Sequence, residues 1–200
     1  MNVYVESNFV LELALERQQH ESCRQLLQLS SAGFVNLIVP AFSLAEPHDV
    51  LASNDRTRRK LSNDLKSHLD ELGRSERHRQ APDAFRHLAR ILFTAGEIER
   101  DGLRYTLRWM LEDAQIIPLN SDILDSASDG FEARLGLPAK DSIVLASVQS
   151  HLEETLPGES CFLNRNTKDF DSAGVRGYLK SMTANSLEAS RTGFATLCLA

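Results

Sequence analysis

Val3-Tyr4-Val5-Glu6-Ser7-Asn8-Phe9-Val10-Leu11 is the stretch from which the fold is read. Three β-favouring residues run into an acid, and Val10, Leu11, Leu13, Ala14 and Leu15 then recur at helical spacing. A short strand therefore feeds a helix, with Glu6 at the junction. Outward from it the same alternation repeats. A second helix is expected from about His20 to Ser31, ended by Gly33 in a left-handed cap. Asn36-Leu37-Ile38-Val39 is a buried strand closed by Pro40, after which Ser43 caps a helix carrying Glu46 in its first turn. Ile116-Ile117-Pro118-Leu119 is a third strand, and Ser121 caps a helix from Asp122 towards Leu135, stopped by Gly136. Asp141 opens a further helix whose inner side is Ile143, Val144, Ser147, Val148 and Leu152. Ser160-Cys161-Phe162-Leu163 is a fourth strand, followed by the polar loop 164–169, and Phe194-Ala195-Thr196-Leu197 is a terminal strand. Strands alternating with helices imply an α/β domain with a mostly parallel sheet flanked by helices.

The middle of the chain differs in character. Leu61, Leu65, Leu69 and Leu72 form a narrow stripe on an otherwise polar helix ended by Gly73, and a second helix follows Pro82 through Leu111. Residues 47–116 are thus expected to form a helical hairpin or small bundle inserted in a single α/β domain spanning 1–200. The net charge of −6 hides an asymmetry: Ser53–Met110 holds 13 basic and 9 acidic residues, so the remainder is strongly acidic. Arg56, Arg58, Arg59 and Lys60 cluster there, able to neutralise phosphates or simply to form a solvated helix face.

Composition narrows the class. With 42% hydrophobic and 25% charged residues the chain is an ordinary globular protein. Its apolar runs fall well short of a membrane span, and Met1–Glu6 has no basic leader, so a cytoplasmic protein without membrane partners is expected. Cys23, Cys161 and Cys198 are too few for a disulfide framework, and the histidines show no ligand spacing; His20, His48 and His151 read as surface or boundary residues. No glycine-rich nucleotide cradle occurs.

In an open parallel sheet, ligands bind beyond the carboxyl ends of the strands. The residues there are acidic: Glu6 after the first strand, Glu46 a turn beyond the second, Asp141 at a helix start and Asp169 past the fourth strand. Carboxylates gathered together repel unless a cation joins them, and hard oxygen donors suit Mg²⁺ or Mn²⁺. Such a cation can activate water and stabilise an in-line phosphodiester displacement. Asp122, Asp125 and Asp129 read instead as exposed helix positions.

Four segments resemble the motifs of PIN domains, in order. Val3–Asn8 is similar to the opening strand and its acidic-Ser/Thr-Asn motif, and Pro40–Glu46 to the second motif with its terminal acid. Leu137–Ser147 resembles the third, an Asp leading a helix of small and apolar residues, and Phe162–Phe170 the fourth, a strand and polar loop ending in Lys-Asp-Phe. The resemblance covers residues 1–46 and about 117–180. It implies a PIN-like, Rossmann-like fold and a metal-dependent endoribonuclease, in many members the toxin of a toxin–antitoxin pair. Glu6, Glu46, Asp141 and Asp169 would bind Mg²⁺ or Mn²⁺. Ser7 and Asn8 would orient the first acid or contact the phosphate, and Arg165 and Asn166 would join Arg56, Arg58, Arg59 and Lys60 in holding RNA. Asn166 competes with Asp169 for the fourth acidic position. The family's first acid is usually Asp, and Glu6 is longer by about 1.5 Å. RNA is the expected partner, with an antitoxin protein and a second copy of the chain as further ones. The alternative is a PIN-like module that binds RNA or protein without cutting.

Overall fold

The computed structural model describes residues 1–78, 81–155, 159–164 and 195–199. Strands β1 (Asn2–Val5), β2 (Asn36–Pro40), β3 (Gln115–Ile117), β4 (Ser160–Asn164) and β5 (Ala195–Leu199) lie in the order β3-β2-β1-β4-β5. The first four are mutually parallel, and β5 joins the edge of β4 antiparallel. Between β1 and β2 run α1 (Ser7–Ala14) and α2 (His20–Ser31); between β2 and β3 run α3 (Ala41–Leu72) and α4 (Ala81–Asp113). Helices α5 (Ser121–Asp125), α6 (Ala133–Leu135) and α7 (Ala139–Glu154) carry the chain from β3 to β4. Among the described residues, no helix is long and apolar enough to cross a membrane.

The strands read as continuous apolar runs because helices cover both faces. Alternate side chains go to opposite cores. Val3, Val5, Leu37, Val39 and Cys161 pack with Phe9 and Val10 of α1, Leu27 of α2, Leu51 of α3 and Leu103 and Met110 of α4. Tyr4, Ile38, Ile117 and Phe162 pack with Ile123 of α5 and Val144, Leu145 and Val148 of α7. The chain steps outward from β1 through β2 to β3, then returns to the other side of β1 as β4. That reversal makes the carboxyl ends of β1 and β4 the topological switch point, where open α/β sheets hold ligands.

Several local expectations are corrected. Helix α3 starts directly after Pro40, so Ser43 is not its cap but a fully buried residue inside it. The helix contains Pro47, which cannot donate to the Ser43 carbonyl. Asn120, not Ser121, caps α5: its Oδ1 accepts the Ile123 N–H at 2.9 Å. Asn and Ser are equally good caps, so adjacent candidates are indistinguishable by type. The helix expected from Asp122 to Leu135 is one turn of α5, wider π-type turns over Ser126–Glu132 and then α6. Gly33 (φ +78°) and Gly136 (φ +66°) do hold the left-handed conformation that ends α2 and α6.

Candidate functional site

Glu6 stands at the junction the sequence marked. It occupies the N-cap position of α1 in extended backbone, but its side chain makes no capping hydrogen bond. It is 4% exposed, and Asn8 Nδ2 donates to its Oε1 at 2.8 Å. Asn8 thus fixes one oxygen of the Glu6 carboxylate.

Glu46 lies in the second turn of α3 and is tied to two other elements. The buried Ser7 hydroxyl donates to its Oε2 at 2.6 Å, and Lys140 Nζ approaches its Oε1 at 3.1 Å. Ser7 begins α1 and Lys140 lies in the first turn of α7, immediately before Asp141. One carboxylate on α3 is therefore tied to the first turns of α1 and α7. These are the positive ends of two helix dipoles, a setting that favours carboxylates and phosphates alike. Lys140 had no expected role, since its pairing spans 94 residues of sequence. Its side chain is 54% exposed, so the ion pair contributes little stability.

On β4, Asn164 is fully buried, and among the described residues neither atom of its amide has a hydrogen-bond partner. The same holds for Ser43 Oγ, one turn before Glu46 on α3. Nothing in the sequence pattern separates Asn164 from the polar loop that follows it. Asp169, Asn166 and Arg165 lie outside the described residues.

The oxygen donors around Glu6 suit a hard divalent cation in chemistry. Among the described residues, no three His, Cys, Asp or Glu side chains gather into a set able to hold a metal ion. Glu6, Glu46 and Asp141 therefore do not form such a set among the described residues, and the Glu46 carboxylate faces the Lys140 ammonium instead.

The basic cluster stands apart. Arg56 and Lys60 are ten and fourteen residues beyond Glu46, roughly 15 and 21 Å along α3. Arg56, Arg59 and Lys60 are exposed, whereas Arg58 forms a two-pronged ion pair with Glu99 of α4 that raises its already high pKa. Arg58 therefore clamps the two long helices together rather than facing solvent. Asp55 and Arg100 add a second ion pair between the same helices. A cleft of about 530 Å³ opens between α3 and α4, lined in part by His48, Leu51, Asp55, Arg100 and Leu103 and by none of the candidate acids.

His151 is also corrected: it is buried, not a boundary residue. Its Nδ1 pairs with Tyr4 Oη and its Nε2 with Gln115 Nε2, both at 2.9 Å. Burial pushes its pKa below the ordinary 6.5, with Glu154 opposing. It lies three turns along α7 from Asp141, about 15 Å away. Cys23 is buried beside Glu12 and its thiol is pushed up to about 12, so it is no nucleophile. Cys161 is core.

Comparison with family models, with curated proteins and with solved structures finds no match.

Proposed function

We propose that the chain is a Mg²⁺- or Mn²⁺-dependent endoribonuclease of PIN-like architecture, its α3–α4 pair an inserted arm that holds RNA. The observation that carries this reading is a buried carboxylate, Glu6, at the switch point of a parallel sheet, next to the Ser7–Glu46–Lys140 contacts that tie α1, α3 and α7 together. The order of the four motif-like segments supports it independently. Glu6, Glu46 and Asp141, completed by Asp169, would hold the cation. Bound there, the cation would supply an activated water and neutralise charge on the scissile phosphate.

The chain's own groups do the rest. Asn8 holds the Glu6 carboxylate in place, and Ser7 fixes one oxygen of Glu46. Lys140 holds the other oxygen. Arg56, Arg59 and Lys60 extend the positive surface along the arm, where they would grip flanking RNA rather than the scissile group. An antitoxin protein or a second copy of the chain would be further partners.

The test is cleavage of a mixed structured and unstructured RNA pool in Mn²⁺, Mg²⁺ and EDTA. Asp141→Asn should lower cleavage at least the roughly 100-fold that loss of even an outer metal-site partner can cost, with unfolding temperature unchanged. Undiminished cleavage by that variant would refute the assignment. A second reading rests on the Lys140–Glu46 pair: an internal cation already satisfies one acid, as in a module that binds RNA or protein without cutting. It predicts RNA binding that survives Asp141→Asn and no metal-dependent cleavage by the wild type.

A further inference from the structure

We propose that Asn164 is a ligand-binding residue of the Glu6 site: its amide oxygen joins Glu6 on a divalent cation, and its amide N–H donates to an anionic oxygen held by that cation. The proposal rests on the nuclease reading above and adds a residue to it. Its basis is an unmet need. A fully buried amide with neither end hydrogen-bonded is costly, and nearly all buried polar groups in folded proteins are paired. Cys161 and Phe162 on the same strand are buried apolar residues, and an apolar side chain at 164 would carry no such cost.

The register says what the amide lies beside. Val5 pairs with Leu163 across the parallel β1–β4 ladder, so the next residues, Glu6 and Asn164, stand level on strands about 4.8 Å apart. Side chains two apart on a strand share a face. Tyr4 and Phe162 both face the α7 core, which puts Glu6 and Asn164 on that face, where Asp141 lies in the first turn of α7. An amide oxygen is a hard neutral donor that suits Mg²⁺ or Mn²⁺ beside carboxylates, and it holds the site's charge lower than another acid would.

The experiment titrates Mn²⁺ into the full chain, followed by calorimetry and by thermal unfolding in Mn²⁺ and in EDTA. Asn164→Leu should unfold roughly 2–4 °C higher in EDTA, because the orphaned amide is gone, yet bind Mn²⁺ at least tenfold more weakly. Asn164→Asp should bind Mn²⁺ several-fold more tightly, and Asn164→Ser, weakened like the leucine variant, stands in if that one does not fold. Wild-type Mn²⁺ affinity in the leucine or serine variant, with Glu6→Gln still weakening binding, removes Asn164 from the site and leaves the carboxylate site standing. Mn²⁺ affinity indifferent to Glu6→Gln overturns both.

Discussion

Helix α3 passes through two environments. From Ser43 to Leu51 it buries a residue on each turn, namely Ser43, Pro47 and Leu51; of the residues from Ala52 to Leu72 none is buried. The first part packs on the sheet and carries Glu46. The second is an arm that the ion pairs Arg58–Glu99 and Asp55–Arg100 link to α4, and it leaves Leu61 and Leu72 half exposed. A single helix can therefore serve a rigid site at one end and a solvated, basic surface at the other. Apolar burial sets the position of the acids, whereas charge shapes the arm. Local opening should be rare in the first region and frequent in the second.

Leucine truncation exposes that difference most strongly. Leu51→Ala should cost about 2–5 kcal/mol, and Leu61→Ala no more than about 0.5 kcal/mol, measured by denaturant unfolding. Equal costs would mean that the arm packs as tightly as the body.

Helix α4 allows the same contrast with glycines. A Cβ on Gly102 would strike the backbone carbonyl of Ala14 at the end of α1, which cannot step aside. One on Gly96 would meet the side chain of Asp55, which can. Gly102→Ala should destabilise by about 1–3 kcal/mol despite the better helix former. Gly96→Ala should stay within about 1 kcal/mol of the wild type, the helix-propensity gain offsetting the disturbed Asp55–Arg100 pair. A stable Gly102→Ala variant would refute the close seating of α1 on α4.

The smallest of these effects belongs to His151, in the body but away from the acids. Its folded pKa lies below 6.5, so the unfolded chain takes up the proton first as pH falls. Its stabilising contribution is complete above about pH 6.5 and lost as pH drops towards the folded pKa, by at most about 1.4 kcal/mol per pH unit. His151→Gln should flatten the fall in unfolding temperature between pH 7 and 5.5; an unchanged slope would show that His151 is not the group responsible.

The sheet was legible because four short apolar runs alternate with helical patterns, and strands buried on both faces leave that signature. Glu6, Glu46 and Asp141 were legible as acids at strand ends and helix starts, since the parallel topology assigns such positions to one edge. The rest depended on contacts that local spacing does not record. Lys140 meets Glu46 across 94 positions, His151 meets Tyr4 across 147, and Asn164 stands out only once its lack of a partner among the described residues is visible. Helix α3 continues through Pro47 because its packing on the body outweighs a cost of about 3 kcal/mol. The basic cluster was visible as charge; that Arg58 is spent on Glu99 was not.

If the acids in the body cut and the bases on the arm hold RNA, cleavage rates measured against RNA concentration separate the two roles. In Mn²⁺, Asp141→Asn should lose turnover even at saturating RNA. The combined Arg56→Gln, Arg59→Gln and Lys60→Gln variant should keep wild-type turnover at saturation but need several-fold more RNA, with a shallower salt dependence. Loss of turnover in the arm variant, or unchanged turnover in Asp141→Asn, would contradict this division of roles.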